Sequence, residues 1–397
     1  MCILLFAAKL FAELFVRLRL PIVLGELLAG MVVGPFAIGS LLTIQGDSLV
    51  SLSSEVKILG EIGAIVILFM AGLEMTPREF IRGGKASFTV GTLGVVVPFF
   101  VGLFIFQFFG FDAFQAMLVA TALTATSIAI SVQVLSEFGK LKTPEARLII
   151  GAAVVDDILA IAVLSIVTSL GGADVSIDII EVMFTILKVL GFFAIMAVVA
   201  IFVMPRLVGS RMWKAGGSIE GIVTAAFFGT AGIAAAIGLS PILGSFVVGM
   251  ALASTKVFER VEHYIGKLGL IFAPLFFAII GAQVDFRGIV QNPEILLIGF
   301  AIIGVAIATK LLGCGLPAWL FMRDGAKARR VGVAMVSRGE VGLIVAGVGI
   351  SSGVLTSNVY TMIVIMVAVT TIITPIWLKL EYRKETGKEA GKAPPVT

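Results

Sequence analysis

Charged residues are scarce in this chain of 397 residues: they make up 14% of the sequence, whereas hydrophobic residues make up 59%. A typical soluble domain carries about 25% charged residues. The mean hydropathy of +1.13 is correspondingly high. This composition excludes an ordinary soluble domain and indicates a membrane protein that crosses the bilayer several times.

Cysteine is nearly absent. Cys2 and Cys314 lie far apart inside apolar segments, so neither a disulfide framework nor a cysteine metal site is expected, and both residues are interpreted as packing residues. No constellation of basic and aromatic residues indicates nucleic-acid binding. The first apolar stretch has no basic region before it, and Arg17 and Arg19 follow it, which argues against a cleaved signal peptide and for a first helix with its N-terminus outside.

Apolar runs long enough to cross a bilayer as helices number thirteen, and the expected class is an all-α polytopic membrane protein. The runs lie at about 2–19, 21–43, 57–75, 85–109, 112–136, 145–170, 177–204, 219–238, 240–255, 264–282, 293–321, 327–350 and 358–380. The basic residues test this topology, because cytoplasmic loops of membrane proteins are enriched in lysine and arginine. With the N-terminus outside, 23 of the 29 basic residues fall in inner loops and the C-terminal tail, and outer loops keep only Lys57 and Arg287. We therefore expect a multi-pass protein of the plasma or inner membrane with a cytoplasmic tail at 381–397 and no soluble ligand-binding domain.

A weak internal repeat links the two halves of the chain. The segment at 21–31 resembles the segment at 241–250, and Gly60, Ile62, Ala64 and Gly72 match residues 209 positions later. The matched helices are seven spans apart, so the two repeats would be inverted relative to one another, as in many secondary transporters.

Asp156 and Asp157 are adjacent in the middle of an apolar helix. A charge at the bilayer centre costs at least about 2.5–3.5 kcal/mol on insertion scales, so intramembrane carboxylates indicate an ion or proton pathway. Neighbours on a helix point about 100° apart, so one aspartate can face a cation path while the other meets a partner. The intramembrane Lys310 is the expected partner.

Two predicted spans have polar, helix-breaking centres at 124–127 and 337–340, again seven spans apart. Interrupted helices at matching positions point to a transporter site, where freed carbonyls and hydroxyls can bind a hard cation. Thr126 and Ser127 are candidate oxygen donors, although they could instead bond only within their own helix. Arg338 and Glu340 are expected to form charge-balancing contacts. Three glutamates near segment ends are expected for the most part to pair with loop cations: Glu26, Glu61 and Glu74.

These residues together resemble a known family. Asp156 and Asp157, Lys310, the 338–340 stretch and the segment Pro21-Ile-Val-Leu-Gly-Glu26-Leu-Leu-Ala-Gly30 look like monovalent cation/proton antiporters, closest to the paired-aspartate NapA/NhaA-type sodium/proton branch. The resemblance runs over nearly the whole chain. It implies an NhaA-like fold with thirteen helices, two of them crossed and discontinuous, in a homodimer whose core moves like an elevator.

The resemblance also implies domains and roles. The single antiporter unit at 1–380 would comprise a core at about 57–170 and 264–350, a dimerisation domain at about 1–43, 219–255 and 358–380, and a linker helix at 177–204. Asp157 would bind sodium or a proton, with Thr126 and Ser127 as further sodium ligands, while Asp156 pairs with Lys310.

The expected function is an electrogenic exchange of sodium or lithium for protons, serving pH homeostasis, with no cofactor. The alternative is a potassium/proton antiporter on the same fold. A sodium-coupled symporter and a channel are less favoured than these two. An intramembrane aspartyl protease, the enzyme alternative, needs two aspartates that converge from separate helices, whereas these two are adjacent on one helix, so no enzyme is expected.

Overall fold

The computed structural model of the chain is almost entirely helical. It describes residues 1–41, 43, 44, 47, 48, 50–170, 179–209, 213, 215–237, 239–285 and 294–390. The helices are α1 (Cys2–Arg17), α2 (Ile22–Val33), α3 (Ile38–Leu41), α4 (Ser54–Leu73), α5 (Pro77–Phe108), α6 (Ala113–Thr124), α7 (Ile128–Glu137), α8 (Pro144–Leu170), α9 (Ile179–Val208), α10 (Ser218–Ala236), α11 (Pro241–Leu252), α12 (Phe258–Ala282), α13 (Glu294–Lys310), α14 (Leu316–Met322), α15 (Gly325–Ala334), α16 (Glu340–Ser351) and α17 (Ser357–Ala390). A π-helical turn at Leu311–Gly315 joins α13 to α14. Two strands of two residues each, β1 (Thr43–Ile44) and β2 (Asp47–Ser48), pair antiparallel with Thr43 opposite Ser48.

Side-chain caps fix where several helices begin. Thr76 and Glu79 form a reciprocal capping box at the start of α5, and Pro77 occupies the first helical position. Asp112 accepts two backbone N–H bonds from the first turn of α6, and Asp324 does the same for α15. These bonds satisfy amides that have no acceptor inside their own helix.

Ten helical segments among the described residues are long and apolar enough to cross a membrane. The prediction of thirteen spans is therefore met only in part. The runs that fall short are short or broken helices: α1 has 16 residues, α11 has 12, and the run at 327–350 is divided between α15 and α16. Arg287 lies outside the described residues.

The helices pack in two groups. In the first group, α4 packs against α11 and α12, α2 packs against α1 and α12, and α10 packs against α11. In the second group, α5 packs against α6 and α8, and α17 packs against α13 and α16. Helix α9 contacts α11 of the first group and α8 of the second. We call these sets the α4 group and the α8 group.

Glycines matched by the internal repeat make matching contacts inside the α4 group. A Cβ on Gly30 of α2 would stand 1.9 Å from the Ala278 carbonyl oxygen, and one on Gly249 of α11 would stand 2.3 Å from the Phe69 carbonyl oxygen. Phe69 and Ala278 are themselves 209 positions apart. The close approach of α2 to α12 is thus repeated by α11 and α4, which supports a true structural repeat over a chance likeness.

Ion pairs and hydrogen bonds join segments that the basic-residue pattern assigns to one side. Lys142 pairs with Glu74 at 3.4 Å, and Arg330 pairs with Glu145 at 2.9 Å. Lys379 donates to the carbonyl oxygen of Arg19. One end of the molecule, which we call the basic end, therefore brings together the connections after α1, α4 and α7, the start of α15 and the end of α17.

Candidate functional site

Helix α8 carries both aspartates. The Thr143 hydroxyl accepts a hydrogen bond from the Ala146 amide, and Pro144 has a fixed backbone angle that suits the first helical position. The helix then runs without a break through both aspartates. Asp156 is fully buried and Asp157 is 5% exposed. Two ionisable side chains are thus held inside an apolar helix, where a charge needs a partner or a proton.

Asp156 and Lys310 form a fully buried ion pair. The Lys310 Nζ lies 2.6 Å from Asp156 Oδ1, and neither side chain is exposed. Asp156 Oδ2 has no hydrogen-bond partner among the described residues. Lys310 is the last residue of α13 before the π-helical turn, and such turns occur frequently at functional sites. Breaking a buried pair on one side is costly, because it leaves an uncompensated charge.

Gly94 and Cys314 line this pair, although neither was predicted from the sequence to belong to the site. A Cβ on Gly94 of α5 would stand 2.6 Å from the Cys314 Sγ, 3.5 Å from Asp156 Oδ1 and 3.6 Å from Lys310 Nζ. Because Gly94 has no side chain, it provides the space that the Asp156–Lys310 pair occupies. Cys314 was expected only to pack in the core, but its spacing of four residues from Lys310 was a signal that both share a helix face. No comparable signal marked Gly94.

Both predicted helix breaks are present and touch each other. Helix α6 ends at Thr124 and α7 begins at Ile128, while α15 ends at Ala334 and α16 begins at Glu340. The Ser127 amide donates to the Ser337 carbonyl oxygen at 2.9 Å, and the Ser337 hydroxyl donates to the Ser127 carbonyl oxygen at 3.0 Å. This reciprocal pair of hydrogen bonds fixes one break against the other.

The first break offers hydroxyl oxygens to a ligand. Thr126 is 4% exposed and Ser127 is 1% exposed, and neither hydroxyl has a hydrogen-bond partner among the described residues. Helices α6 and α7 on either side of this break both pack against α8, which carries Asp157. No group of three or more His, Cys, Asp or Glu side chains in the described part of the chain could hold a metal ion. The first break thus presents two hydroxyl oxygens without a protein partner between helices that pack against α8.

Arg338 fills the second break. Its guanidinium donates to the carbonyl oxygens of Met335 at 3.3 Å, Val336 at 3.1 Å and Ala306 at 3.1 Å. It is fully buried and lies within electrostatic reach of Asp156 and Lys310. Glu340 begins α16, and its side chain lies outside the described residues. The structure therefore brings Arg338 to the aspartate–lysine pair and leaves the contacts predicted for Glu340 undetermined.

The three glutamates near segment ends have different environments. Glu74 pairs with Lys142, as expected for a carboxylate near a basic loop, and Glu61 is exposed. Glu26 is only 2% exposed, and its Oε2 atom has no hydrogen-bond partner among the described residues. Glu26 therefore differs from Glu74, because α2 buries Glu26 among neighbouring helices.

The chain is similar to known proteins in both sequence and fold. A family model described as "Sodium/hydrogen exchanger, transmembrane" matches residues 2–381. The chain is 35% identical over 370 residues to the Na(+)/H(+)-K(+) antiporter GerN of Bacillus cereus, covering 92% of this chain and 90% of GerN. It is 37% identical over 393 residues to the high-affinity Na(+)/H(+) antiporter NhaS3 of Synechocystis, covering 91% of this chain and 84% of NhaS3.

A solved structure shares the fold. The map of the sodium proton antiporter MjNhaP1 from Methanocaldococcus jannaschii superposes with a TM-score of 0.71, covering 99% of this chain and 97% of that one. The two sequences are only 17% identical over this superposition. The likeness therefore concerns the arrangement of helices.

Proposed function

Because the chain belongs to the sodium/hydrogen exchanger family, a family of transporters and not of enzymes, we propose that it exchanges sodium for protons at Asp157. In this proposal Asp157 binds either a proton or a sodium ion, and Thr126 and Ser127 provide further oxygen ligands. Lithium, a smaller hard cation, would use the same oxygens. Asp156 pairs with Lys310, and Arg338 and Glu340 balance charge around the breaks.

One observation carries the proposal: a buried aspartate–lysine pair lies next to a second aspartate and to a helix break with unpartnered hydroxyls. Protons and cations compete for a carboxylate when both cannot be bound at once. Freed carbonyls and hydroxyls at broken helices supply the oxygen ligands that sodium prefers. The proposed exchange needs no covalent step, because the ions are only bound and released while the helix groups move.

The proposed exchange is electrogenic. Two protons moving against one sodium ion transfer one net charge, which is worth about 2.3 kcal/mol per 100 mV of membrane potential. Such a charge would bias sodium export and acidify the cytoplasm at high pH, which is the basis for the proposed part in pH homeostasis. Lys310 is a candidate for the second proton, since Asp156 is its ion-pair partner among the described residues.

The proposed architecture keeps the inverted repeats, thirteen membrane-crossing segments and a homodimer with elevator-like motion. The predicted division placed 57–75 and 264–282 in the core and 358–380 in the dimerisation domain. The packing favours another division, because α4 and α12 pack in the α4 group and α17 packs in the α8 group. We propose that the α8 group moves against the α4 group, in a plasma or inner membrane with the basic end cytoplasmic.

Replacement of Asp157 tests the proposal most directly. We expect Asp157→Asn to abolish sodium-dependent proton flux in proteoliposomes, because an amide neither releases a proton nor neutralises a cation. Asp112→Asn is the matched control, since Asp112 is an exposed cap of α6, and it should retain flux. Sodium-dependent flux at the wild-type rate in Asp157→Asn would overturn the assignment of Asp157.

Lys310 is tested by charge movement. We expect Lys310→Gln to weaken exchange or make it electroneutral, because a neutral amide cannot release the second proton. Currents of proteoliposomes on a supported membrane measure this, with the exposed Lys57→Gln as control. A current unchanged in sign and size in Lys310→Gln contradicts the role of the lysine.

Potassium/proton exchange is the second candidate, because GerN, which is similar over most of its length, is named as a Na(+)/H(+)-K(+) antiporter. The two functions share the same site and differ in the preferred cation. Proton flux measured with sodium, lithium and potassium in turn distinguishes them. Flux driven by potassium alone would replace the sodium proposal.

A further inference from the structure

A second carboxylate contact joins the two helix groups at the basic end. Glu137 is the last residue of α7, which packs against α8 and α17 of the α8 group and also against α4 of the α4 group. Glu137 accepts backbone N–H bonds from Ile22 at 2.9 Å and Val23 at 3.2 Å. These amides belong to the first turn of α2 in the α4 group, where no acceptor exists within the helix. A carboxylate at a helix N-terminus is also favoured by the helix dipole. Glu137 therefore caps a helix across the boundary between the groups.

Glu26 lies one turn further along α2. It is 2% exposed, its Oε2 atom has no hydrogen-bond partner among the described residues, and it lies within electrostatic reach of Glu137 and Lys9. The other groups near Glu137 are Gln133 of α7 and Lys379 of α17. Glu137 contacts the first turn of α2, and Glu26 belongs to the next turn, so the boundary between α2 and α7 holds two acidic side chains, one of them almost completely buried.

Two ionised carboxylates are unfavourable in such a place. A buried charge that is not fully paired costs free energy, and two like charges at short range raise that cost further. Lys9 is exposed on α1 and compensates only part of the charge, since exposed cations are screened by solvent. A single proton on the pair removes the conflict and leaves Glu137 ionised for its two amide bonds.

We propose that Glu26 and Glu137 form a proton-sharing carboxylate pair that latches α2 to α7 and closes the basic end. In the closed arrangement the proton resides on Glu26, and Glu137 is ionised. Release of this proton to water leaves two negative charges across the boundary, which separates α2 from α7 and frees the first-turn amides of α2. The consequence for transport rests on the proposed function, because separation of the two groups at this end would open a path to Asp157.

Amide hydrogen exchange measures the latch without any transported ion. The Ile22 and Val23 amides report the Glu137 contact directly, since the described residues give them no other acceptor. Exchange of the purified full-length protein in detergent is followed with single-amide resolution from about pH 5 to about pH 9, a range that covers ordinary and strongly buried carboxyl groups. Rates are corrected for the intrinsic pH dependence of amide exchange. We expect protection of both amides to decrease as pH rises.

Two variants and one control complete the test. Glu26→Gln, which has the shape of the protonated acid, should keep protection to a pH about one unit higher or more, as expected for strongly coupled groups. Glu137→Ala should abolish protection of both amides at every pH. Glu13→Gln is the control, because Glu13 is an exposed residue of α1 paired with Arg17, and it should match wild type.

Either of two results overturns the latch: protection in wild type that does not change with pH, or a Glu26→Gln profile that overlays wild type. Protection of amides in the middle of α8 verifies that each variant is folded, and Glu137→Ala provides the second test if Glu26→Gln fails that check. If neither wild type nor the variants show sodium-dependent flux while their amide hydrogen-exchange profiles are as expected, the proposed function is refuted and the latch is not. If sodium-dependent flux is normal while protection of the Ile22 and Val23 amides does not change with pH, the latch is refuted and the proposed function is not.

Discussion

The two helix breaks contact each other, yet the oxygen atoms at the two breaks have different partners. In the second break, the backbone carbonyls of residues 334–338 each accept a hydrogen bond from the protein, from Ser131, Arg338, Ser127 and Thr371. In the first break, the hydroxyls of Thr126 and Ser127 have no partner among the described residues. One break is thus occupied by protein donors, and the other offers free oxygen atoms.

The difference shows how one repeated element can serve two purposes. The guanidinium of Arg338 is a cation built into the second break, and it lies on the carbonyls that end α15, where the helix dipole is negative. The described residues place no such cation at the first break. Under the proposed function, the permanent charge in the second break would keep the crossing rigid while the first break exchanges its ion.

Removing the resident cation should have the largest effect on stability. We expect Arg338→Leu to lower the free energy of unfolding by about 3 kcal/mol or more, because each buried carbonyl left unsatisfied costs about 1–3 kcal/mol. Thermal unfolding in detergent measures the loss. Arg260→Leu is the control: Arg260 is an exposed residue paired with Glu220, and such pairs contribute about 0–1 kcal/mol. Equal melting temperatures for the two variants would mean that the second break does not depend on Arg338.

Removing one free oxygen from the first break should affect ion binding and spare stability. We expect Thr126→Val to raise the KM for sodium about tenfold, equivalent to about 1.4 kcal/mol of binding, with an unchanged or higher melting temperature. Sodium-dependent proton flux gives the KM. In the control Thr121→Val, the lost hydroxyl bonds only to Met117 in its own helix. A wild-type KM for Thr126→Val would show that this oxygen is not a ligand.

The smallest effect is expected for Thr371, whose hydroxyl group bonds to the second break from α17. Thr371 donates from α17 to the Arg338 carbonyl oxygen at 2.6 Å, and Thr371→Val should cost about 1 kcal/mol of stability, the usual net value of one hydrogen bond. The sodium KM should stay the same. Thr361→Val, which loses a bond within α17 only, is the matched control for melting temperature. A raised sodium KM in Thr371→Val would show that the second break also binds the ion.

Much of this site was predictable because hydrocarbon makes polar residues conspicuous. Asp156, Asp157 and Lys310 stand out in apolar runs, and the polar clusters at 124–127 and 337–340 marked both breaks. The sequence could not reveal Gly94 as a neighbour of the site, because a glycine inside an apolar helix has no distinct signal until another helix approaches it.

Helix grouping was also beyond the sequence. The core implied by the resemblance combined 57–75 with 85–170, whereas α4 packs with α11 and α12. The apolar pattern could not show this packing in advance, since apolar helices in a bilayer associate through shape and small residues.

The sequence by itself determined that this chain crosses a membrane repeatedly and holds two carboxylates and an amine within it, because the cost of charge in hydrocarbon excludes accidental placement. Only the tertiary structure decided which of these groups meet. Lys310 contacts Asp156 at 2.6 Å, and Glu137 accepts hydrogen bonds from the first turn of α2, because helices distant in sequence approach one another there. Partner choice depends on packing between helices, and packing is a property of the folded chain.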